Sequence, residues 1–120
     1  MESDSTEKPL SPIAIQNDEY RRCRGEPDQT DLRGNVLITR SVDALPDDEQ
    51  KRVLDAVKSF DSFSIENDPY LEHDFGLVLS NTYYFKFDYF SNDEFEHGSD
   101  NPADPTRTHR LLTIARLDEY

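Results

Sequence analysis

The sequence predicts an α+β domain, a small antiparallel sheet of about three strands packed against two or three helices. Three observations carry that expectation. Phe75, Leu77 and Leu79, then Tyr83, Phe85, Phe87 and Tyr89, alternate with polar residues at a period of two, the signature of paired strands. Val53, Leu54, Val57 and Phe60 recur at helical spacing behind Pro46-Asp47-Asp48-Glu49, where proline and acids favour a helix start. Val36-Leu37-Ile38-Thr39 is a short β-branched apolar run of strand length.

In chain order, Met1 to Leu10 is polar and aperiodic and reads as a disordered tail, leaving residues 11–120 as one domain. Ser11-Pro12 reads as an N-cap followed by proline at the first helical position. The helix it opens runs to Arg24 and stops at Gly25, with Ile13, Tyr20 and Cys23 on one side. Glu26 to Gly34 is loop, Val36–Thr39 a strand, and the segment after Leu45 the strongest helix. Ser80-Asn81-Thr82 reads as a three-residue hairpin loop, which pairs Phe75 with Phe87, Leu77 with Phe85, and Asp74 with Asp88. Phe75, Leu77, Phe85 and Phe87 then face the core, while Lys86 and Asp88 share the other face. Ser91 to Asp104 is an acidic loop, and Asp104-Pro105 repeats the cap-then-proline signal. Leu111, Leu112, Ile114, Ala115 and Leu117 read as a closing amphipathic helix with Arg107, Arg110 and Arg116 on its wet side.

Composition bounds the function. The chain has 120 residues and a formal charge of −13, which argues against binding nucleic acid or an anionic membrane. Between Asp61 and Pro105 lie eleven acids against the single base Lys86, together with ten of the thirteen aromatic residues. Acid and aromatic interleaved in this way suit a basic protein partner. Cys23 is the one cysteine, so an intrachain disulfide is excluded. The acidic N-terminus resembles neither a signal nor a transit peptide, and no apolar run approaches the roughly 20 residues that span a bilayer, so a cytoplasmic location is expected.

The chemically densest phrase is Glu66-Asn67-Asp68-Pro69-Tyr70-Leu71-Glu72-His73-Asp74-Phe75-Gly76. Neighbouring strand residues point to opposite faces, so His73 and Asp74 should not converge on one ion. Glu72, Asp74 and Asp88 share a face in the expected register and are the alternative reading, an oxygen-rich site for Mg²⁺ or Ca²⁺ in a metal-dependent hydrolase. No glycine-rich phosphate loop, zinc spacing or nucleophile elbow is present. The main reading is a non-enzymatic acidic domain without cofactor. It would bind a basic protein through Tyr70, Glu72, His73, Asp74, Tyr84, Lys86, Asp88, Asp93 and Glu96, because tyrosine anchors interfaces and acids steer cations. Its sharpest form is a nucleic-acid mimic, and a structural or assembly protein is the third reading.

Several phrases together resemble a small proteobacterial family, domain of unknown function 3768. They are Leu37-Ile38-Thr39-Arg40-Ser41-Val42, Phe60-Asp61-Ser62-Phe63, Asn67-Asp68-Pro69, Glu72-His73-Asp74-Phe75-Gly76, Asp88-Tyr89 and Asp100-Asn101-Pro102-Ala103-Asp104-Pro105. The similarity runs from about Ile13 to Tyr120, departing at Phe85, where members tend to carry Trp, and in a longer acidic loop from Gly25 to Gly34. The resemblance implies no catalytic residue. It implies genes of plasmids and prophages, and hence a role against host or rival machinery.

Overall fold

In a computed structural model, described here for residues 10–26 and 28–120, a four-stranded sheet carries its helices on one face. The disordered tail expected over residues 1–10 lies, apart from Leu10, outside the described residues. Helix α1 (Pro12–Cys23) starts where the sequence places it. The Ser11 side chain accepts from Ala14 N, and Arg24 closes the helix in a left-handed conformation. Strand β1 (Arg33–Ile38) leads through a single turn of helix, α2 (Arg40–Asp43), to α3 (Asp47–Ser59), which has three acids in its first turn. Strands β2 (Phe75–Val78) and β3 (Tyr83–Phe90) form the hairpin, and β4 (His109–Arg116) follows the acidic loop.

The spatial order is β1-β4-β3-β2, with β1 parallel to β4 and the other pairs antiparallel. The fold is thus α+β, with one strand more than expected. The extra strand is the segment expected to be the closing helix. Leu111, Ile114 and Ala115 fit a helical stripe, but Arg110, Leu112 and Ile114 also alternate with Leu111, Thr113 and Ala115. A central strand that is apolar on both faces reads as a nearly continuous apolar run, which spacing alone does not separate from a buried helix. Arg110, expected on a wet helix face, is fully buried. The Asp104-Pro105 signal does form locally, as a 3₁₀ turn over Pro105–Arg107 with Asp104 accepting from Thr106 N.

The hairpin is present but its register differs by one residue. Phe75 pairs with Lys86, Gly76 with Phe85, Leu77 with Tyr84 and Val78 with Tyr83. Leu79 leaves the strand. It joins Ser80 and Asn81 in the left-handed region, with φ of 52°, 57° and 62°, so the connection has an even number of residues. Phe85 and Phe87 remain core, whereas Phe75 and Leu77 move to the opposite face and are replaced there by Gly76 and Val78. Asp74 lies beside Phe87, whose N–H donates to the Asp74 carbonyl, and not opposite Asp88. A physical reason is visible at Gly76. A Cβ there would come within 2.5 Å of the Phe85 ring and 2.9 Å of Phe60, so the missing side chain makes room for the fully buried Phe85 ring.

The core lies between this face and the helices. It joins Tyr20 of α1, Val42 of α2, Val53 and Val57 of α3, and Phe85, Phe87, Leu112 and Ile114 of the sheet. Edge-to-face contacts link Phe60 to Phe63 and Phe85, and Tyr20 to Phe87.

Candidate functional site

Charged and polar side chains gather in two places, one on each side of the sheet. The first is buried beneath α1. Ala14, Asn17, Asp18 and Arg21 recur at i, i+3, i+4 and i+7, and this mostly polar stripe is the face that α1 turns inward. Arg21 donates to Asp18 at 2.7 Å and to the carbonyls of Val57 and Phe60, each at 2.7 Å, which ties α1 to the end of α3. Its guanidinium also lies over the rings of Phe63 and Phe85. Burial pulls its pKa down and Asp18 opposes that shift.

His73 completes this cluster. Nδ1 donates to Asp18, 3.0 Å from both carboxylate oxygens, and Nε2 is 3.8 Å from Asp68. The ring stacks on Phe63, with centroids 3.9 Å apart. Asp68 accepts from the backbone N–H of Glu72 and of His73, fixing a loop in which Leu71 and His73 both have positive φ. The strand geometry expected around His73 is therefore absent, since β2 begins only at Phe75, and His73 and Asp74 do not lie on opposite faces of a strand. An imidazole between carboxylates is a general-base arrangement only when a reacting group can reach it. Here the His73 side chain is 12% exposed, and among the described residues no hydroxyl or thiol hydrogen-bonds to it. The cluster pins the loop and both long helices together.

A second buried group sits beside it. Arg110 donates to Asn17, Gln16 and the Pro102 carbonyl, and Asn17 donates to the Tyr89 hydroxyl and the Glu72 carbonyl. Burial raises the Tyr89 pKa, and it pushes the Tyr20 pKa up to about 12, with Cys23 adding to the rise. Cys23 is half-buried, with its Sγ against the Tyr20 carbonyl.

The other side of the sheet is open. Strand alternation places Phe75, Leu77, Tyr84, Lys86, Asp88, Phe90, Leu111, Thr113 and Leu37 on it. Lys86 and Asp88 pair there at 3.4 Å, both about two-fifths exposed. Tyr84 is buried beneath Phe75 and Tyr120. The acidic loop after β3 turns back onto this face, where Phe95 packs against Phe90 and His109 and Gly98 bridges to Phe90. Asp93, Glu94 and Glu96 are exposed along it. Asp93 also lines a cleft of about 630 Å³ with Asp31, Arg33, Asn92 and His109. Burial lowers the His109 pKa, and Asp93 opposes the shift.

The residues expected to form one partner surface are thus divided. Tyr84, Lys86, Asp88, Asp93 and Glu96 belong to the open face and its loop. Tyr70 is exposed on the loop before β2, Glu72 and Asp74 are half-buried there, and His73 is inside. Burial raises the Glu72 pKa, helped by Asp74 and Asp68. Burial likewise raises that of Asp74, helped by Asp68 and Asp88. Among the described residues, no group of three or more His, Cys, Asp or Glu side chains converges in metal-ligand geometry. Asn17, Asp18, Arg21, Asp68 and Arg110 went unrecognised as a buried network. The one available signal was the helical spacing of Asn17, Asp18 and Arg21 with Ala14; Asp68 and Arg110 carried none.

The architecture defines the class first: an α+β domain with a mixed four-stranded sheet, helices on one face, and the other covered only at its ends by Tyr120 and the acidic loop. The chain belongs to the family described as Protein of unknown function (DUF3768), whose model matches residues 38–119, well over half of its length. That span holds α2, α3, β2, β3, β4 and the Asn67–Gly76 phrase, whereas α1, with Asp18 and Arg21, precedes it. No curated protein and no solved structure matches the chain. Among the described residues no helix is long and apolar enough to cross a membrane.

Proposed function

We propose that this is a cytoplasmic, non-enzymatic domain that binds a basic protein surface through its acidic segment. The observation that carries the reading is how little of that segment's charge is neutralised. Of the eleven acids between Asp61 and Pro105 only Asp68 is buried. Among the described residues only Asp88 lies within 4.0 Å of a Lys or Arg side chain, that of Lys86, and Asp68 lies 3.8 Å from the His73 imidazole. Uncompensated charge, densest on the loop that holds Asp93, Glu94 and Glu96, produces a field that accelerates encounter with cations and excludes anions. The resemblance to mobile-element genes and the density of charge favour an occupant of a nucleic-acid-binding groove, which makes the domain a mimic of nucleic acid.

The test is capture from a lysate of the encoding organism at low salt, with bound proteins eluted by NaCl or by duplex DNA. The expected result is one dominant basic protein, released by several hundred millimolar NaCl and displaced by DNA. Asp93→Asn, Glu94→Gln and Glu96→Gln together should weaken capture without altering the fold, since all three groups are exposed. Capture that DNA fails to displace would remove the mimicry alone. Capture unchanged by the triple substitution would remove the acidic-surface reading.

A further inference from the structure

We infer that the free edge of β2 accepts an extended segment of the partner as a further strand, an inference that rests on the proposed function and names what the partner offers. Strand β2 ends the sheet, so only one of its sides meets β3. In an antiparallel ladder opposed residues alternate between pairs that exchange hydrogen bonds and pairs that do not. The Phe87 N–H donates to the Asp74 carbonyl, and Phe75 stands opposite Lys86. The bonded pairs are therefore Gly76 with Phe85 and Val78 with Tyr83, while Phe75 and Leu77 turn their N–H and C=O groups away from β3. Among the described residues those outward groups meet no hydrogen-bond partner. The strand also has no proline, lysine or bulge, the usual protections of an exposed edge.

A groove of about 350 Å³ runs along this edge, walled by Phe75, Gly76 and Leu77 on one side and by Phe60, Ser62 and Asn67 on the other. The far wall is fixed, because Asn67 accepts from Ser64 N at 2.9 Å and donates to the Ser62 carbonyl at 3.2 Å. By contrast the larger cleft touches β1, the other edge strand, only at Arg33 and Gly34. A row of backbone donors and acceptors is matched by another strand and not by a helix, whose groups are spent internally. Gly76 puts no side chain on the groove wall and Phe60 stands beside it, so the residue opposite Gly76 is large and apolar, the pairing that compensates an edge glycine. Charge sets the flanks. The groove residues are uncharged, whereas Asp61 and Glu66 are exposed on the loop of the far wall and Asp74 precedes β2. A segment alternating apolar and basic residues fits all three, and a second copy of the chain would bring −13 against −13.

The experiment uses the full chain and two synthetic peptides of about nine residues, an ordinary strand length. One alternates Val and Lys around a central Phe, and the other is the same sequence with its central backbone nitrogens methylated. Charge and side chains are equal, so only pairing through the backbone separates them. Fluorescence anisotropy at low salt should show the first binding at least about tenfold more tightly. Leu77→Pro removes one outward donor at a position where an edge strand tolerates proline, and it should erase most of that difference while far-UV circular dichroism stays unchanged. Hydrogen exchange of the wild-type protein needs no substitution. The Phe75 and Leu77 amides should exchange fast in the free chain and slow on binding the first peptide, whereas those of Gly76 and Val78 are slow throughout. If both peptides bind equally and Phe75 and Leu77 stay fast, the strand edge is wrong and the acidic-surface reading stands. If neither peptide binds, both are wrong. Sedimentation showing a dimer whose dissociation on dilution frees the same two amides would overturn the peptide in favour of a second copy.

Discussion

The two faces of this sheet use charge in opposite ways. Beneath the helices Asp18, Arg21, Asp68 and His73 are withdrawn from water and hold one another in fixed geometry, and buried Arg110 is held beside them by Asn17 and Gln16. On the bare side and its loop, Lys86, Asp88, Asp93, Glu94 and Glu96 stay hydrated, with a single pair among them. A charge that has lost its water depends on its partner, so removing either member leaves an unsatisfied ion. A charge that keeps its water loses little when its neighbour goes. Position in the fold therefore decides whether a charged residue acts as scaffold or contributes to a surface field.

The sharpest way to break this contrast is Arg21→Ala. It removes the closest cation from buried Asp18, leaving it His73 and a 4.0 Å contact to Arg22, and frees the Val57 and Phe60 carbonyls. It should cost about 3–5 kcal/mol in urea denaturation. A loss below about 1 kcal/mol would mean that the buried cluster is as dispensable as the outer one. Gly34→Ala comes next. Its Cβ would meet the Arg110 carbonyl at 2.4 Å and the Tyr20 hydroxyl at 2.7 Å, pressing β1 away from the strand that carries the buried arginine. Overpacking of this kind costs roughly 1–3 kcal/mol, measurable as a lower denaturation midpoint. On the open face Lys86→Ala should cost less than about 1 kcal/mol, the ceiling for most exposed pairs.

The smallest expected effect concerns pH. Glu72 and Asp74 hold their protons more tightly in the fold than in the unfolded chain, because burial and neighbouring carboxylates disfavour their charged forms. The folded state therefore binds more protons over the window just above the ordinary carboxylate range, and these two groups stabilise it as pH falls through their raised values. Asp55, Asp104 and Glu119 have lowered values, held down by hydrogen bonds from Lys51, Thr106 and Ser41, and act in the opposite direction. Wild-type Tm should gain more between pH 7 and pH 5 than that of Glu72→Gln/Asp74→Asn, and the double variant should be the more stable at pH 7 by about half a kcal/mol. Equal gains would show that the pair is no more perturbed than the other surface acids.

Much of this contrast was legible in the sequence, and the illegible parts have physical causes. The alternation from Phe75 to Tyr89 located the hairpin, but register depended on Leu79 adopting a left-handed conformation, which a branched apolar residue does not advertise. The Pro46 start and the Val53–Phe60 stripe located α3, whose solvent face is polar enough to leave one period standing out. Strand β4 was hidden because Leu111 and Ala115 on its open side are apolar like Leu112 and Ile114 on its core side, so hydrophobicity does not alternate. The inner network was hidden for a different reason. Asn17, Asp18 and Arg21 look like a solvent face until the partners that enclose them are known, and His73, Asp68 and Val57 come from 36 to 55 residues further along. The outer acids needed no partner to be recognised, because exposure is the default for their type.

The parallel pairing of β1 with β4 also bears on how the chain reaches this state. Arg33 sits beside His109 and Ile38 beside Ile114, a separation of 76 residues, and β4 is the strand that joins β1 to the hairpin. During synthesis α1, β1, α3 and the hairpin all emerge before the strand that unites them. Until then β1 has no ladder partner, and one whole side of β3 is unpaired. Non-local pairing of this kind slows folding, since the entropy of closing a long loop is spent before any contact repays it. The nascent chain thus carries two open strand edges until residues 109–116 arrive, and its dense negative charge keeps those edges from finding one another in neighbouring chains.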